Sequence, residues 1–161
     1  MSTHKTKEFR ELIHSGYQQV FSIDKILFER RTAHQHLIIF EHALFGRVMA
    51  LDNIIQTTQK DEFIYHEMFA HIPLFAHPNP ERILIVGGGD GGLLREVLRH
   101  TNPKLSVTMV EIDETVIEMA KTYLPNHSQG AFEDPRAKII IADGLDFLNQ
   151  TNETFDIILS D

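Results

Sequence analysis

The sequence predicts an α/β protein in which a small antiparallel β-hairpin domain precedes a Rossmann-like, doubly wound parallel sheet. Two observations predict this class. Near Asp61 the hydrophobic pattern changes from short alternating runs, rich in β-branched and aromatic residues, to apolar runs separated by helical stretches. A glycine-rich segment at 87–92 lies between a predicted strand and a predicted helix. We therefore expect an N-terminal strand domain over residues 1–60 and a junction helix with a Rossmann-like half-domain over residues 61–161.

The first part of the chain is expected to form short strands joined by hairpins. Residue types that favour strands alternate in four segments: 20–23, 26–28, 37–40 and 46–51. Such strands leave apolar faces that need cover, for example at Phe40 and Phe45, and this predicts a subunit contact through the N-terminal strands. His34 and His36 flank Gln35 on one face of a predicted strand. A third metal ligand is not evident there, so we expect no metal site.

A junction helix is expected to begin near Asp61, where Thr58 can cap its first turn. Apolar residues then recur at four-residue spacing: Ile64, Met68 and Ile72. Pro73 is expected to kink or end the helix, because proline has no backbone N–H to donate.

Beyond residue 81, strands and helices alternate as in β-α-β units. The predicted strands cover 83–86, 107–110, 138–142 and 155–160, and the predicted helices cover 93–98 and 114–124. Continuous apolar strands suit a parallel sheet covered on both faces, and the right-handed crossover rule favours the strand order 3-2-1-4. The chain stops directly after its fourth strand, so we expect a half-domain that is truncated at that point.

Composition restricts the classes of function. The 161 residues include no cysteine, which excludes disulfides, thiolate zinc sites and cysteine nucleophiles. A net charge of -8 disfavours nucleic acid and anionic membranes as partners and raises the local concentration of small cations. No apolar stretch reaches membrane-spanning length, and we expect a soluble, cytoplasmic protein.

The glycine segment satisfies a nucleotide-binding pattern in its required context. Gly87, Gly89 and Gly92 form G-x-G-x-x-G between a strand and a helix, but this pattern alone does not separate dinucleotides from S-adenosyl ligands. Glu111 ends the second predicted strand, where an acid usually accepts hydrogen bonds from ribose hydroxyls. Asp113 directly precedes the next helix and fits the role of a helix-capping acid better.

Four acids are expected at one edge of the sheet: Asp90, Glu111, Asp143 and Asp161. Each lies in the loop or at the position that follows a predicted strand, and the carboxyl ends of parallel strands form the ligand crevice. A pyrophosphate would meet Asp90 as a like charge, whereas a sulfonium or an alkyl ammonium would meet it as a partner. The sequence therefore favours a cationic ligand.

Several segments together resemble the polyamine aminopropyltransferases of the spermidine synthase type. The resemblance lies in 61–68, in 87–92 with the Arg95-Glu96 pair that follows, in 110–113, in Asp143-Gly144 and in 155–161. It implies a sheet of the S-adenosylmethionine-methyltransferase type and homodimers or homotetramers. It also implies the transfer of an aminopropyl group from decarboxylated S-adenosylmethionine to putrescine, which gives spermidine and 5′-methylthioadenosine. Decarboxylated S-adenosylmethionine would be a co-substrate, and no prosthetic group is implied.

The resemblance assigns roles to individual residues. It places the nucleoside and sulfonium part of decarboxylated S-adenosylmethionine on the glycine loop and on four further positions: Gln35, Glu111, Asp143 and Gly144. It places the diamine or the aminopropyl amine on Tyr65, His66 and Asp90. Asp161 matches the first acid of a D-x-x-D-P signature, the general base, and the rest of that signature is absent because the sequence ends.

The chemistry is consistent with these residue types. An alkyl diamine must lose a proton before its nitrogen attacks the carbon beside a sulfonium, and a carboxylate in a partly dried cleft can take that proton. Three other functions remain open: an S-adenosylmethionine-dependent N-methyltransferase acting on a small amine, a nicotinamide-dependent dehydrogenase, and a ligand-binding fragment without turnover. The length of the amine acceptor is not fixed by these residues.

Overall fold

The computed structural model describes residues 7–161, which divide into two compact units between Asp61 and Glu62. The exact domain limits of 1–60 and 61–161 stay a prediction. The strands of the first unit are β1 (Lys7–His14), β2 (Tyr17–Ile23), β3 (Lys25–Arg31), β4 (His36–His42), β5 (Gly46–Leu51) and β6 (Ile54–Thr58).

The first unit is antiparallel throughout its described residues, as predicted. β1 and β2 form a hairpin, and β3 to β6 form a four-stranded meander. The ring of Phe40 is fully buried and lies 5.3 Å from the ring of Phe9 on β1. Phe45 packs against Phe21 on β2, with 5.7 Å between ring centroids. The expectation that Phe40 needs cover from a second subunit is therefore wrong, because the β1–β2 hairpin covers it, whereas Phe45 is only half-buried and its part in a subunit contact stays a prediction.

The second unit contains a four-stranded parallel sheet among its described residues. Its strands are β7 (Arg82–Val86), β8 (Ser106–Glu111), β9 (Ala137–Ile141) and β10 (Ile157–Ser160). The order β10-β7-β8-β9 is the predicted order 3-2-1-4 read from the opposite edge, so this prediction is confirmed. The helices are α1 (Glu62–Ala76), α2 (Gly92–Leu98), α3 (Glu114–Tyr123), α4 (Pro125–Ser128) and α5 (Gly144–Gln150), with a short 3-10 helix over Ala131–Glu133.

Helix α1 differs from its prediction in two respects. Pro73 lies inside it and does not end it, since the helix continues to Ala76 and the N–H of His77 donates to the Pro73 carbonyl at 3.1 Å. The apolar residues at four-residue spacing are all more than half exposed: Ile64, Met68 and Ile72. The buried side of α1 instead consists of His66, Ala70 and Leu74.

The parallel sheet brings the ends of β7, β8 and β10 together. The N–H of Gly87, directly after β7, donates to the Val110 carbonyl at 2.8 Å, and the N–H of Asp161, directly after β10, donates to the Val86 carbonyl at 2.9 Å. Helix α2, which follows the glycine loop, is buried along its whole length. Among residues 7–161, no helix combines the length and the apolar character needed to cross a bilayer.

Candidate active site

The glycine loop between β7 and α2 is shaped by two close approaches. Gly87 has a φ of 88°, which glycine adopts without strain, and a Cβ atom there would lie 2.9 Å from the carbonyl oxygen of Asp161. Gly92 faces helix α1, and a Cβ atom there would overlap the imidazole of His66. Small residues at both positions therefore let β10 and α1 contact the loop directly.

His66 connects two carboxylates. Its Nδ1 lies 2.6 Å from Oε2 of Glu62, one turn earlier on α1, and its Nε2 lies 3.4 Å from Oδ2 of Asp90 in the glycine loop. Asp90 is buried, and its Oδ1 accepts a hydrogen bond of 2.8 Å from the N–H of Gly92. The predicted amine-binding residues His66 and Asp90 are thus in contact in the structure.

Arg95 on α2 holds Glu62 from the other side. Its two terminal nitrogens donate to the two Glu62 oxygens at 3.0 Å each, and its Nε donates to Glu96 Oε1 at 2.7 Å. Arg95 also donates to the backbone carbonyls of Asn126 and His127, at 2.9 and 2.6 Å. The guanidinium group is buried, and these partners satisfy it with the planar geometry that Arg provides.

The pKa values follow from this buried arrangement. Burial alone disfavours the imidazolium form, but the hydrogen bonds and charges of Asp90 and Glu62 outweigh it and raise the pKa of His66 to about 9. Burial likewise opposes ionisation of Glu62, but hydrogen bonds from His66 and Arg95 lower the pKa of Glu62 to about 2. The pKa of Asp90 is lowered in the same way, mainly by His66. At neutral pH the side chains of Glu62, His66 and Asp90 are therefore all ionised.

This raised pKa predicts a loss of stability at alkaline pH. The stabilisation from the His66 charge is complete below its unfolded pKa of 6.5 and is lost as the pH rises through about 9. We expect a loss of no more than about 3 kcal/mol in the free energy of unfolding, at about 1.4 kcal/mol per pKa unit. Urea titrations at pH 6 and pH 10 would measure it by the helical circular dichroism signal. In a His66→Gln variant the fall should be absent, and an equal fall would contradict the assignment.

Asp161 and Tyr65 form the exposed side of the same cluster. The Tyr65 hydroxyl donates to Oδ1 of Asp161 at 2.7 Å. Although part of the Asp161 residue is exposed, the surrounding protein atoms remove water from its carboxyl, and this desolvation and the nearby charge of Asp90 raise its pKa, while the Tyr65 hydrogen bond and His66 oppose that rise. Burial, and then the Asp161 carboxylate, raise the pKa of Tyr65 well above its usual range. A carboxylate with a raised pKa beside a like charge has the properties of a general base.

The other two acids follow β8 and β9 along the sheet edge, and the Glu111 carboxylate lies against Gly89 of the glycine loop. Glu111 is buried, and its Oε1 accepts a hydrogen bond of 3.0 Å from the N–H of Asp113. Its pKa is raised by burial, against the hydrogen bonds that it accepts from the backbone. Asp113 caps α3 by accepting from the N–H of Thr115 at 3.0 Å, which confirms its predicted capping role.

Asp143 occupies the equivalent place after β9. It caps α5, accepting from the N–H groups of Leu145 and Asp146 at 2.8 and 3.1 Å, and its residue surface is exposed. The adjacent Gly144 leaves no room for a side chain, because a Cβ atom there would lie 2.5 Å from a Val86 methyl group. Asp143 and Gly144 therefore present a fixed backbone turn at the edge of the sheet.

Gln35 lies in the connection between β3 and β4, in the first unit. Its carbonyl accepts from the N–H and hydroxyl of Thr32, at 2.8 and 3.1 Å. His34 belongs to the same turn, and only His36 lies on a strand, so the expectation that the two histidines share one strand face is wrong. Within residues 7–161, no group of three or more His, Cys, Asp or Glu residues is arranged to hold a metal ion.

Two charged residues that contact this cluster, Glu62 and Arg95, were given no role in the sequence analysis. Glu62 could have been found from its position, because it lies four residues before His66 and this spacing places both side chains on one face of the helix. Arg95 gave a weaker signal, as one charged residue in the otherwise apolar start of α2, and its partner Glu62 lies 33 residues away.

Two protein-family models match this chain, one over each of its two units. The family model described as "Spermine/spermidine synthase domain" matches residues 62–161, and the model described as "Spermidine synthase tetramerisation domain" matches residues 9–59. The chain belongs to the spermine/spermidine synthase family. The predicted family resemblance is therefore confirmed, and the glycine loop, α1 and the end of β10 lie in the matched synthase domain.

Relatives in this family are similar over nearly the whole chain. The polyamine aminopropyltransferase of Escherichia coli O1:K1 / APEC is 56% identical over 155 residues, which cover 96% of this chain and 54% of that protein. Polyamine aminopropyltransferase 1 of Pseudomonas aeruginosa is 58% identical over 154 residues, with the same coverage of 96% and 54%. The chain thus spans about half the length of the curated relatives it matches.

Solved structures of the family share the fold. A spermidine synthase in complex with the transition state analogue AdoDATO superposes with a TM-score of 0.90 at 41% identity, covering 99% of this chain and 55% of that one. The spermidine synthase from Thermotoga maritima gives the same values of 0.90, 41%, 99% and 55%. The predicted α/β fold class is confirmed.

Proposed function

We propose that this chain carries the co-substrate site and part of the amine site of a spermidine synthase. The activity would transfer the aminopropyl group of decarboxylated S-adenosylmethionine to putrescine and give spermidine and 5′-methylthioadenosine. One observation carries the proposal: Tyr65, His66, Asp90 and Asp161 meet at the carboxyl ends of β7 and β10 as a connected, mainly acidic cluster. Such a cluster suits an alkyl ammonium ligand and opposes a phosphate.

Asp161 is proposed as the general base. A putrescine nitrogen is protonated at neutral pH and is not nucleophilic until it loses that proton. The Asp161 carboxylate would first bind the ammonium and then accept its proton, and the raised pKa of this carboxyl supports the second step. The nitrogen lone pair then forms a bond to the methylene carbon beside sulfur, and the carbon–sulfur bond breaks with its electrons on the departing thioether. Tyr65 would orient the base through its hydrogen bond.

The co-substrate is proposed to lie along the sheet edge. Gly87 and Gly89 allow a ligand to approach the loop backbone, and Glu111 would accept hydrogen bonds from the ribose hydroxyls. Asp143 and Gly144, at the start of α5, would bind the adenine. We retain Gln35 as a contact to the nucleoside on the strength of the family resemblance, with its backbone held in the β3–β4 turn.

Calorimetric titration with decarboxylated and carboxylated S-adenosylmethionine tests this proposal. The two ligands differ by one carboxylate, which the acids at positions 90 and 161 would repel. We expect the decarboxylated ligand to bind at least tenfold more tightly, a difference of about 1.4 kcal/mol. Asp90→Asn should reduce the preference for the decarboxylated ligand. The affinity for 5′-methylthioadenosine, which has neither the carboxylate nor the amine, should be unchanged in the variant.

A titration without the expected preference for the decarboxylated ligand contradicts the proposal. Equal affinities, or a preference for the carboxylated ligand, would favour an N-methyltransferase acting on a small amine. Binding of either ligand without any 5′-methylthioadenosine released on addition of putrescine would identify this chain as a ligand-binding fragment.

The N-terminal strands are proposed to join subunits into a homodimer or homotetramer. The outer face of the β1–β2 hairpin, opposite the face that holds Phe9 and Phe21, has two apolar side chains that stay exposed among the described residues: Leu12 at 70% and Val20 at 47%. Tyr17, at the turn end of β2, is 56% exposed. An apolar strand face of this kind is characteristic of a subunit contact, and the family model over these residues is a tetramerisation domain. We also retain a cytoplasmic location as part of the proposal.

A further inference from the structure

The carboxylate of Glu62 is buried although it occupies the first residue of α1. An acid in the first turn of a helix usually faces solvent and interacts with the helix dipole. The Glu62 side chain is instead only 10% exposed, and both of its oxygens point into the second unit. A buried carboxylate costs free energy unless it is paired, so its partners indicate what it does.

Arg95 fixes the orientation of that carboxylate. It binds both oxygens of Glu62 at 3.0 Å, in the bidentate geometry that restrains rotation of the carboxylate plane. Arg95 is itself held by Glu96 and by two backbone carbonyls. Glu62 therefore presents Oε2 to His66 from a fixed position.

Glu62 in turn determines which nitrogen of His66 faces Asp90. A carboxylate only accepts hydrogen bonds, so Nδ1 of His66, at 2.6 Å from Glu62, must carry a proton. Nε2 then faces the Asp90 carboxylate at 3.4 Å. A neutral ring with its proton on Nδ1 would direct the lone pair of Nε2 at that carboxylate, whereas the doubly protonated ring donates to both acids.

We propose that Glu62 is a positioning residue, which, with Arg95 behind it, orients the ring of His66 and keeps it doubly protonated toward Asp90. The inference rests on the proposed function only in naming the alkyl ammonium as the ligand that meets Asp90. Its consequence is that Asp90 meets the ligand as half of an ion pair and does not compete with Asp161 for a proton. Without the imidazolium beside it, the Asp90 carboxylate would act on Asp161 as an unpaired like charge, and such a charge favours protonation of a neighbouring carboxyl.

The charged and titratable groups around His66 come from every element that packs against it. They are Glu62 and Tyr65 on α1, Asp90 in the glycine loop, Arg95 on α2, His127 on α4 and Asp161 after β10. Asp90 and Glu62 are the two acids hydrogen-bonded to the ring. Of these two, only Glu62 lies on the same helix as His66.

Nuclear magnetic resonance of the 15N-histidine-labelled chain tests the inference without any ligand. Long-range proton–nitrogen spectra between pH 5.5 and 10.5 report the protonation of each ring nitrogen. In the wild-type chain we expect His66 to titrate near pH 9 and to retain its proton on Nδ1 above that pH. In Glu62→Gln, which keeps the shape and removes the charge, the midpoint should fall by at least one pH unit.

Glu67→Gln is the matched control, because it removes a carboxylate from the same helix one position beyond His66, and it should shift the midpoint by less than 0.3 units. A wild-type midpoint at or below 6.5, a neutral ring protonated on Nε2, or an unchanged midpoint in Glu62→Gln would overturn the inference. If Glu62→Gln does not fold, the wild-type midpoint and tautomer decide the question. Because no ligand is present, failure of the inference is separate from failure of the proposed function.

Discussion

Replacement of Asp161 by Asn is expected to lower aminopropyl transfer by about 10²- to 10⁴-fold, the usual contribution of a general base. An amide cannot accept the proton that putrescine must lose, but it can still accept the hydrogen bond that Tyr65 donates to Asp161 at 2.7 Å. The geometry of the site should therefore survive, and the affinity for decarboxylated S-adenosylmethionine should change only a few fold. Release of 5′-methylthioadenosine in single-turnover reactions, with protein in excess, measures the transfer step.

Glu118→Gln provides a matched control for this prediction. It makes the same change from carboxylate to amide at an exposed position on α3. The control should transfer the aminopropyl group at the wild-type rate. Transfer by Asp161→Asn within fivefold of wild type would show that another group takes the proton. If the wild-type chain does not turn over, the affinity for putrescine in the presence of 5′-methylthioadenosine replaces the rate as the measurement, and an affinity unchanged in Asp161→Asn would contradict the binding role.

Replacement of Arg95 by Met is expected to destabilise the chain by about 3 to 5 kcal/mol, the cost of removing one partner from a buried ion pair. Met fills a similar volume but removes the buried guanidinium that pairs with both carboxylates, so that, among the described residues, Glu62 keeps only His66, and Glu96 keeps only His71 and the half-exposed Arg99, as ion-pair partners. The two backbone carbonyls that accept from Arg95 would also lose a donor. Urea titration followed by the helical signal reports on the second unit, because the helices of the described residues all lie in 62–161.

Arg99→Met is the matched control for this loss. Arg99 pairs with the same Glu96 at 2.8 Å, but its side chain is 50% exposed. Exposed pairs contribute at most about 1 kcal/mol, so the control should remain close to wild type. Equal losses of unfolding free energy in the two variants would contradict the prediction. They would mean that the buried ion pair between Arg95 and Glu62 adds no more stability than the exposed pair of Arg99.

The sheet order was predictable from the sequence because its signals are local. Apolar runs marked the four strands, and the crossover rule then fixed their order. The capping role of Asp113 was predictable for the same reason, since it depends only on the next helix. Helix α5 was not predicted, although Asp143 before it is a capping residue of the same kind.

Strand β1 and the buried face of α1 were not predicted, because residues there have a burial that contradicts their polarity. Strand β1 has its alternation inverted in the middle, because Glu11 is buried and Leu12 is 70% exposed. In α1, the exposed apolar stripe that contains Met68 has the same four-residue spacing as the buried stripe that contains His66. Spacing alone assigns the apolar stripe to the core, and only the ion pairs of His66 explain why the other stripe is inside.

The candidate site was predictable as a list of residues more than as an arrangement. The family resemblance supplied the residue types, but the contact between Glu62 and Arg95 joins positions 33 residues apart and depends on the packing of α1 against α2. The expectation that four acids converge on one ligand stays a prediction. Asp90 and Asp161 join one cluster through His66 and Tyr65, while Glu111 and Asp143 are engaged by backbone N–H groups at the ends of β8 and β9.

The contacts of the site differ in how far apart their partners lie along the chain, and the contact made by the end of β10 has the largest separation. Glu62 and His66 are 4 residues apart and Glu62 and Arg95 are 33 apart, whereas Tyr65 and Asp161 are separated by 96. Closing the longer segment costs about 1 kcal/mol more entropy than closing the 33-residue one, at roughly 0.6 kcal/mol per doubling. The contacts of Glu62 with His66 and Arg95 can therefore form within residues 62–95, whereas Asp161, the proposed base, reaches Tyr65 only when β10 pairs with β7.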